Sequence, residues 1–204
     1  MREIVLVAGT CFQEAAKTAK QFHELGACVY ELPTAENKTA CEAILKEIEK
    51  EGKLDYLIIQ AEYRSESTPV FGNLDYAEML QIYEKTVCDT YDLVEASLPL
   101  LSKGKKRLGL ITDAASSIRE VTETEDFGYA MAKAGLHMVW KVYFNRLLPD
   151  GYTFRCFCPN PDGCGIATAD YMRMDFCYDA NDNFLHSEEN RLVMRDGWFR
   201  EISW

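Results

Sequence analysis

The sequence predicts an α/β fold in which a parallel sheet is covered by helices on both faces. Three observations predict it. Short apolar runs recur at residues 3–8, 27–32, 55–60, 106–112, 153–158 and 191–195, which makes about six strands. These runs are continuously apolar rather than alternating, as in strands buried on both faces. The segments between them carry apolar residues at helical spacing, and strand–helix alternation with right-handed crossovers gives a doubly wound, Rossmann-like sheet.

Taken in order, the first strand is punctuated by Gly9-Thr10, and a helix follows from about Phe12 to Leu25. Ala16, Ala19, Phe22 and Leu25 share one face of it, and Gly26 stops it. The second strand ends at Pro33, and Thr34 opens a helix through Lys50 with Ala40, Ile44, Leu45 and Ile48 on one face. Residues 55–60 (DYLIIQ) make the third strand, and a polar loop covers Arg64 to Asn73. A long helix is predicted from about Asp75 to Leu101 through Ile82, Val87, Val94 and Leu98. The fourth strand (KRLGLIT) leads into a loop at 113–126 rich in Ser, Thr and acids, and another long helix spans about 127–148. The fifth strand ends at Pro159, a short helix is placed around Gly165–Met174 before a polar segment, and 191–195 (RLVMR) is a late sixth strand. No internal repeat or linker divides the chain, so residues 1–204 are expected to form one domain.

Composition excludes several classes of function. With 48% hydrophobic and 27% charged residues the chain reads as globular, and a net charge of −11 argues against a nucleic-acid partner. The N-terminal apolar run is too short for a signal peptide or a membrane span, so a cytoplasmic protein is expected. Eight cysteines then read as reduced thiols. Cys156, Cys158 and Cys164 lack a fourth ligand at zinc-like spacing, and the three histidines form no metal pattern, so no metal is expected. A serine hydrolase lacks its G-x-S-x-G cue.

In an open parallel sheet ligands bind at the carboxyl ends of the strands. Here those ends are Gly9-Thr10, Gln60-Ala61, Thr112-Asp113 and Pro159-Asn160. The loop after Thr112 runs into the helix that begins GYAMAKAGL, where Tyr129 and Lys133 share one face at i and i+4. An ammonium beside a phenol favours the phenolate, which would make Tyr129 a usable acid/base near neutral pH.

Tyr129 and Lys133, the following AGLHM, Pro159, Leu98-Pro99-Leu100-Leu101 and the DYLII strand together resemble the short-chain dehydrogenases/reductases (SDRs) in ordered series over most of residues 3–165. The resemblance implies an NAD- or NADP-dependent oxidoreductase acting on a small carbonyl or alcohol. Tyr129 would be the general acid/base, Lys133 would tune it and hold the nicotinamide ribose, and a serine would orient the substrate oxygen. Family spacing places that serine at Ser116, thirteen positions before Tyr129, whereas alignment of the strand end places Thr112 or Asp113 there. The implied cofactor contacts are Gly9, Thr10, Phe12, Gln13, Glu31, Gln60, Ala61, Lys133 and Pro159. A homodimer or homotetramer through helices 75–101 and 127–148 is implied as well.

The departures have physical consequences. Of the family's glycine-rich turn only Gly9 survives, with Gln13 where backbone should approach a pyrophosphate and Glu14 placing negative charge there. The Asn-Asn-Ala-Gly motif becomes Ile59-Gln60-Ala61-Glu62, and the family's helix-four Asn falls on Thr86 beside Lys85. Only one helix fits between the second and third strands, so one strand–helix unit near the adenine position is expected to be missing. Asp196-Gly197-Trp198 resembles the family's late Asp-Gly-Gly and reads equally as a turn. Tyr129, Lys133 and Ser116 favour the enzyme reading, while the altered turn favours a catalytically inactive, SDR-like binding or scaffold protein.

Overall fold

The computed structural model describes residues 2–64, 75–122, 126–174 and 191–204. The expected loop beyond Arg64, the middle of the acidic loop, His186 and the polar segment after Met174 lie outside the described residues.

Seven strands form one sheet in the order β2-β1-β3-β4-β5-β6-β7, with β1 Ile4–Ala8, β2 Cys28–Leu32, β3 Tyr56–Gln60, β4 Arg107–Ile111, β5 Thr153–Cys158, β6 Met194–Asp196 and β7 Glu201–Ile202. The first six run parallel and β7 pairs antiparallel with β6. Because β1 alternates Ile4, Leu6 and Ala8 to one face and Val5 and Val7 to the other, two cores form. The first takes α2 (Lys38–Glu49), α4 (Asp89–Leu101) and α5 (Phe127–Leu147), and the second takes α1 (Gln13–Glu24) and α6 (Thr168–Arg173). Each fully buried Leu or Ile in these layers contributes about 2 kcal/mol. Helices on both faces of a parallel sheet make the doubly wound arrangement that the apolar runs predict.

β2 stands at the sheet edge and connects to β3 through α2 alone, so the missing strand–helix unit falls outside β2. The seventh strand is absent from the sequence reading. It has two residues, too few for periodicity to register, and exists because Asp196 ties the intervening turn: its carboxylate accepts the N–H of Trp198 (2.9 Å), the N–H of Arg200 (2.8 Å) and Nε of Arg200 (2.7 Å). Asp196-Gly197-Trp198 is thus a turn.

The helix expected over 75–101 divides into α3 (Tyr76–Tyr83), a π-helical turn (Glu84–Cys88) and α4. Ile82 and Val87 are both buried, yet residues five apart on an α-helix point about 140° away from each other. The wider turn absorbs one residue and restores both to the core face. Asp75 caps α3 by accepting the N–H groups of Ala77 and Glu78. No described helix is long and apolar enough to cross a membrane.

Candidate functional site

Parallel pairing brings the ends of β1, β3, β4 and β5 to one sheet edge, and α5 starts above β4 and β3. Asp126 opens α5, its carboxylate accepting the N–H of Tyr129 at 3.2 Å. Tyr129, Lys133 and His137 then follow at successive turns, all buried against the sheet. Sequence reasoning places the first two and misses the third, although its i+4 spacing from Lys133 was the available signal.

The phenol of Tyr129 donates a short hydrogen bond to the Asp113 carboxylate. Of the three residues expected as candidates for the serine position, Asp113 is the one bonded to the Tyr129 phenol. Ser116 lies in a single 3-10 turn (Ala114–Ser116), and its hydroxyl donates to the backbone oxygen of Asp113 at 2.6 Å. Lys133 Nζ reaches the Ala61 carbonyl at 3.5 Å and Asp113 Oδ2 at 3.9 Å. The Arg64 guanidinium lies 3.7 Å from the centre of the Tyr129 ring. Thr112 Oγ1 lies 2.8 Å from His137 Nε2 and 3.4 Å from Ser116 Oγ.

The electrostatics correct one expectation. Burial, followed by the charges of Asp113 and Glu62, holds the Tyr129 phenol well above its ordinary range, with Arg64 opposing. Burial and the facing carboxylates outweigh the Arg64 guanidinium, so Tyr129 is not poised as a phenolate near neutral pH. Burial and Lys133 push His137 down to about 3, against the pull of Asp113, and the imidazole is neutral. Cys158, at the end of β5, is pushed up to about 11 by burial and Asp113.

A dinucleotide would place its pyrophosphate at the Gly9 turn and the start of α1, where free N–H groups are needed. Several of those groups are already engaged, though among the described residues no partner is seen for the N–H groups of Gln13 and Glu14. Gly9 and Thr10 donate to Leu32 O, Cys11 to Pro33 O and Phe12 to Gly9 O. The Ala15 N–H donates to Gln60 Oε1 at 2.8 Å, and Gln60 Nε2 donates to Glu62 at 2.9 Å. A cavity of about 20 Å³ lies beside it, among Phe12, Gln60, Ala61, Glu62 and Tyr63. Glu14 stands in the first turn of α1 and accepts from Thr168 Oγ1 at 2.5 Å, which docks α6 across the helix start. The Glu14 carboxylate and the Gln60 side chain both disfavour a pyrophosphate at this helix start.

The other expected cofactor contacts scatter. Gln13 is exposed, and Glu31 is exposed on the edge strand opposite Val7. Pro159 is half-buried after β5, beside Asn160, whose side chain bridges Cys164 O (3.0 Å) and the Gly197 N–H (3.2 Å). Lys85 pairs with Glu36 at 3.0 Å over the Tyr63 ring, and Thr86 is buried in the π-helical turn. Cys156 is buried inside β5, and no cluster of three metal-ligating side chains occurs among the described residues.

No protein-family model matches the sequence, and no curated protein matches it. Solved structures do match its fold. A protein assigned to the SDRs from Burkholderia multivorans, with bound NADP, superposes with a TM-score of 0.72 at 14% identity over 100% of both chains. A protein assigned as the carbonyl reductase Sniffer of Caenorhabditis elegans gives 0.71 at 15% identity, and carbonyl reductase Sniffer of D. melanogaster gives 0.69 at 14%, each over 100% of both chains. The chain has the fold of the short-chain dehydrogenases/reductases.

Proposed function

We propose that this protein is a binding or scaffold protein built on the SDR fold, with the remnants of a redox site used as a structural network. The observation that carries this reading is the Gln60 side chain closing the start of α1 through the Ala15 N–H. Asp113 adds to it. A carbonyl oxygen gaining negative charge beside Tyr129 would face a carboxylate instead of a hydroxyl, and the phenol's single hydrogen is already committed. These two side chains reverse the preference that Tyr129, Lys133 and Ser116 create in the sequence.

A second reading, an NAD(P)-dependent oxidoreductase acting on a small carbonyl or alcohol, is favoured by Tyr129 and Lys133 lying one turn apart at the sheet edge and by the NADP held in the Burkholderia protein of the same fold. It requires Gln60 to leave Ala15. Calorimetric titration with NADH and NADPH separates the two. The binding reading expects no saturable binding at millimolar cofactor, and recovery, if any, only in a Gln60→Gly, Asp113→Ser variant. Micromolar binding to the wild type, weakened by Lys133→Ala, would establish the second reading.

Self-association and a reducing, cytoplasmic setting belong to the same proposal. Tyr76, Leu80, Tyr83 and Tyr91 with Phe127, Met131 and Val142 leave an exposed apolar face on packed α3, α4 and α5. All described cysteines are free thiols.

A further inference from the structure

We infer that the cleft between the start of α2 and the π-helical turn at Glu84–Cys88 binds a small linear diamine, Asp89 taking one ammonium group and Glu84 the other. The inference goes beyond the binding reading above and uses neither Tyr129 nor Gln60.

The cleft measures about 670 Å³, and Glu36, Lys38, Glu84, Lys85 and Asp89 give it its charge. Its cations are already taken. Lys38 donates to Asp92 at 2.8 Å, and Lys85 pairs with Glu36 at 3.0 Å. The carboxylates of Glu84 and Asp89 remain without a hydrogen bond or an ion pair among the described residues. The π-helical turn sets these two side chains together. Residues five apart on an α-helix point about 140° apart. Here the Asp89 N–H donates to Glu84 O, the wider turn that brings both to one side. Neighbours on successive helical turns lie about 5–6 Å apart at Cβ, a gap that a four-carbon chain between two ammonium groups bridges.

Asp89 is the anchor. It is only 9% exposed and lines the cleft, yet its carboxylate oxygens stay reachable, unlike Thr86 Oγ1 of the same turn, which is wholly buried. It does not serve as a helix cap, because the chain enters α4 already helical through Cys88 and no side chain caps that start. Burial raises the Asp89 carboxyl above its ordinary value; Lys38 opposes, and Glu36, Glu84 and Asp92 add to the rise. A desolvated carboxylate without a partner is destabilising, and a ligand ammonium removes that cost. A metal ion is the poorer occupant, since no cluster of three metal-ligating side chains occurs among the described residues. Carboxylates that do not converge on one point suit two separate ammonium groups.

Calorimetric titration of the full chain with 1,4-diaminobutane at about 0.15 M salt, where exposed charges are screened, tests the inference. Saturable binding is expected, about tenfold weaker in Asp89→Asn, which keeps the side chain's shape and removes its charge. Butylamine, with one ammonium group, should bind the wild type about threefold more weakly than the diamine, since an exposed pair contributes less. In Glu84→Gln the two amines should bind alike. Glu24→Gln, at an exposed position of α1 on the opposite face of the sheet, controls for general attraction to an acidic surface and should change nothing. Without ligand, Asp89→Asn should unfold at a higher temperature than the wild type, because it removes an unpaired buried charge. Absence of saturable binding, an equal loss in Asp89→Asn and Glu24→Gln, or a diamine advantage that survives Glu84→Gln overturns the inference. Displacement of the diamine by equimolar magnesium chloride also overturns it, assigning the carboxylates to a metal ion, and so does a lower unfolding temperature in Asp89→Asn, which would make Asp89 structural. None of these probes reports on a dinucleotide, so failure here leaves the NADH and NADPH result standing, and NADPH binding leaves the diamine result standing.

Discussion

Gln60 Oε1 accepts the backbone N–H of Ala15 at 2.8 Å, so the start of α1 is capped by a side chain from the end of β3. The backbone of Gln60 explains why position 9 must be glycine. A Cβ at Gly9 would lie 2.0 Å from the Gln60 carbonyl oxygen, and the residue sits at φ +96°. The glycine is needed for β1 and β3 to meet.

Two substitutions measure that junction. Gln60→Ala removes the cap and is expected to cost about 1–2 kcal/mol in urea denaturation. Gly9→Ala combines a backbone clash with a left-handed backbone conformation and should cost at least about 3 kcal/mol. A loss for Gly9→Ala no larger than for Gln60→Ala would contradict the close approach.

Tyr129 should resist ionisation. Burial and Asp113 raise its pKa in the folded state, so this contribution to stability is complete below the ordinary phenol value and fades as pH rises past it. Ultraviolet titration of the wild type minus Tyr129→Phe should show no phenolate signal for this residue before alkaline unfolding. In an Asp113→Asn background the same difference should appear at lower pH. Phenolate signal from Tyr129 near neutrality would restore the role first expected of Lys133.

His137 predicts an acid-limb effect of the opposite sense. Its pKa is lowered to about 3 by burial and by Lys133, with Asp113 opposing, so the unfolded chain takes up a proton that the folded one refuses. Its contribution is whole above the unfolded value and is lost as pH falls from about 6.5 toward 3. Between pH 7.5 and 5 the wild type should lose about 2 kcal/mol more than His137→Phe, from the linkage slope of about 1.4 kcal/mol per pH unit. Parallel pH profiles for the two proteins would show that His137 is not buried in its neutral form.

Self-association is testable on the exposed face of α3 and α5. Sedimentation at micromolar concentration should give a dimer or tetramer, and Leu80→Glu with Met131→Glu, both at exposed positions, should give a monomer with unchanged circular dichroism. A monomeric wild type would remove the interface.

The apolar runs determined the parallel sheet by themselves, because a strand buried on both faces must be continuously apolar, and the shortness of the link between β2 and β3 determined the loss of a strand–helix unit. The i, i+4 spacing likewise placed Tyr129 and Lys133 on one buried face. Tertiary structure decided what those side chains meet. Asp113 meets the Tyr129 phenol, while the 3-10 turn at 114–116 folds the Ser116 hydroxyl back onto the Asp113 carbonyl. Gln60 reaches Ala15, forty-five residues away, only after β1 and β3 have paired, and Trp204 meets His137 across a still longer gap. Spacing along a helix is local and legible in sequence; the partner of a hydrogen bond across the sheet edge is set by strand order and packing.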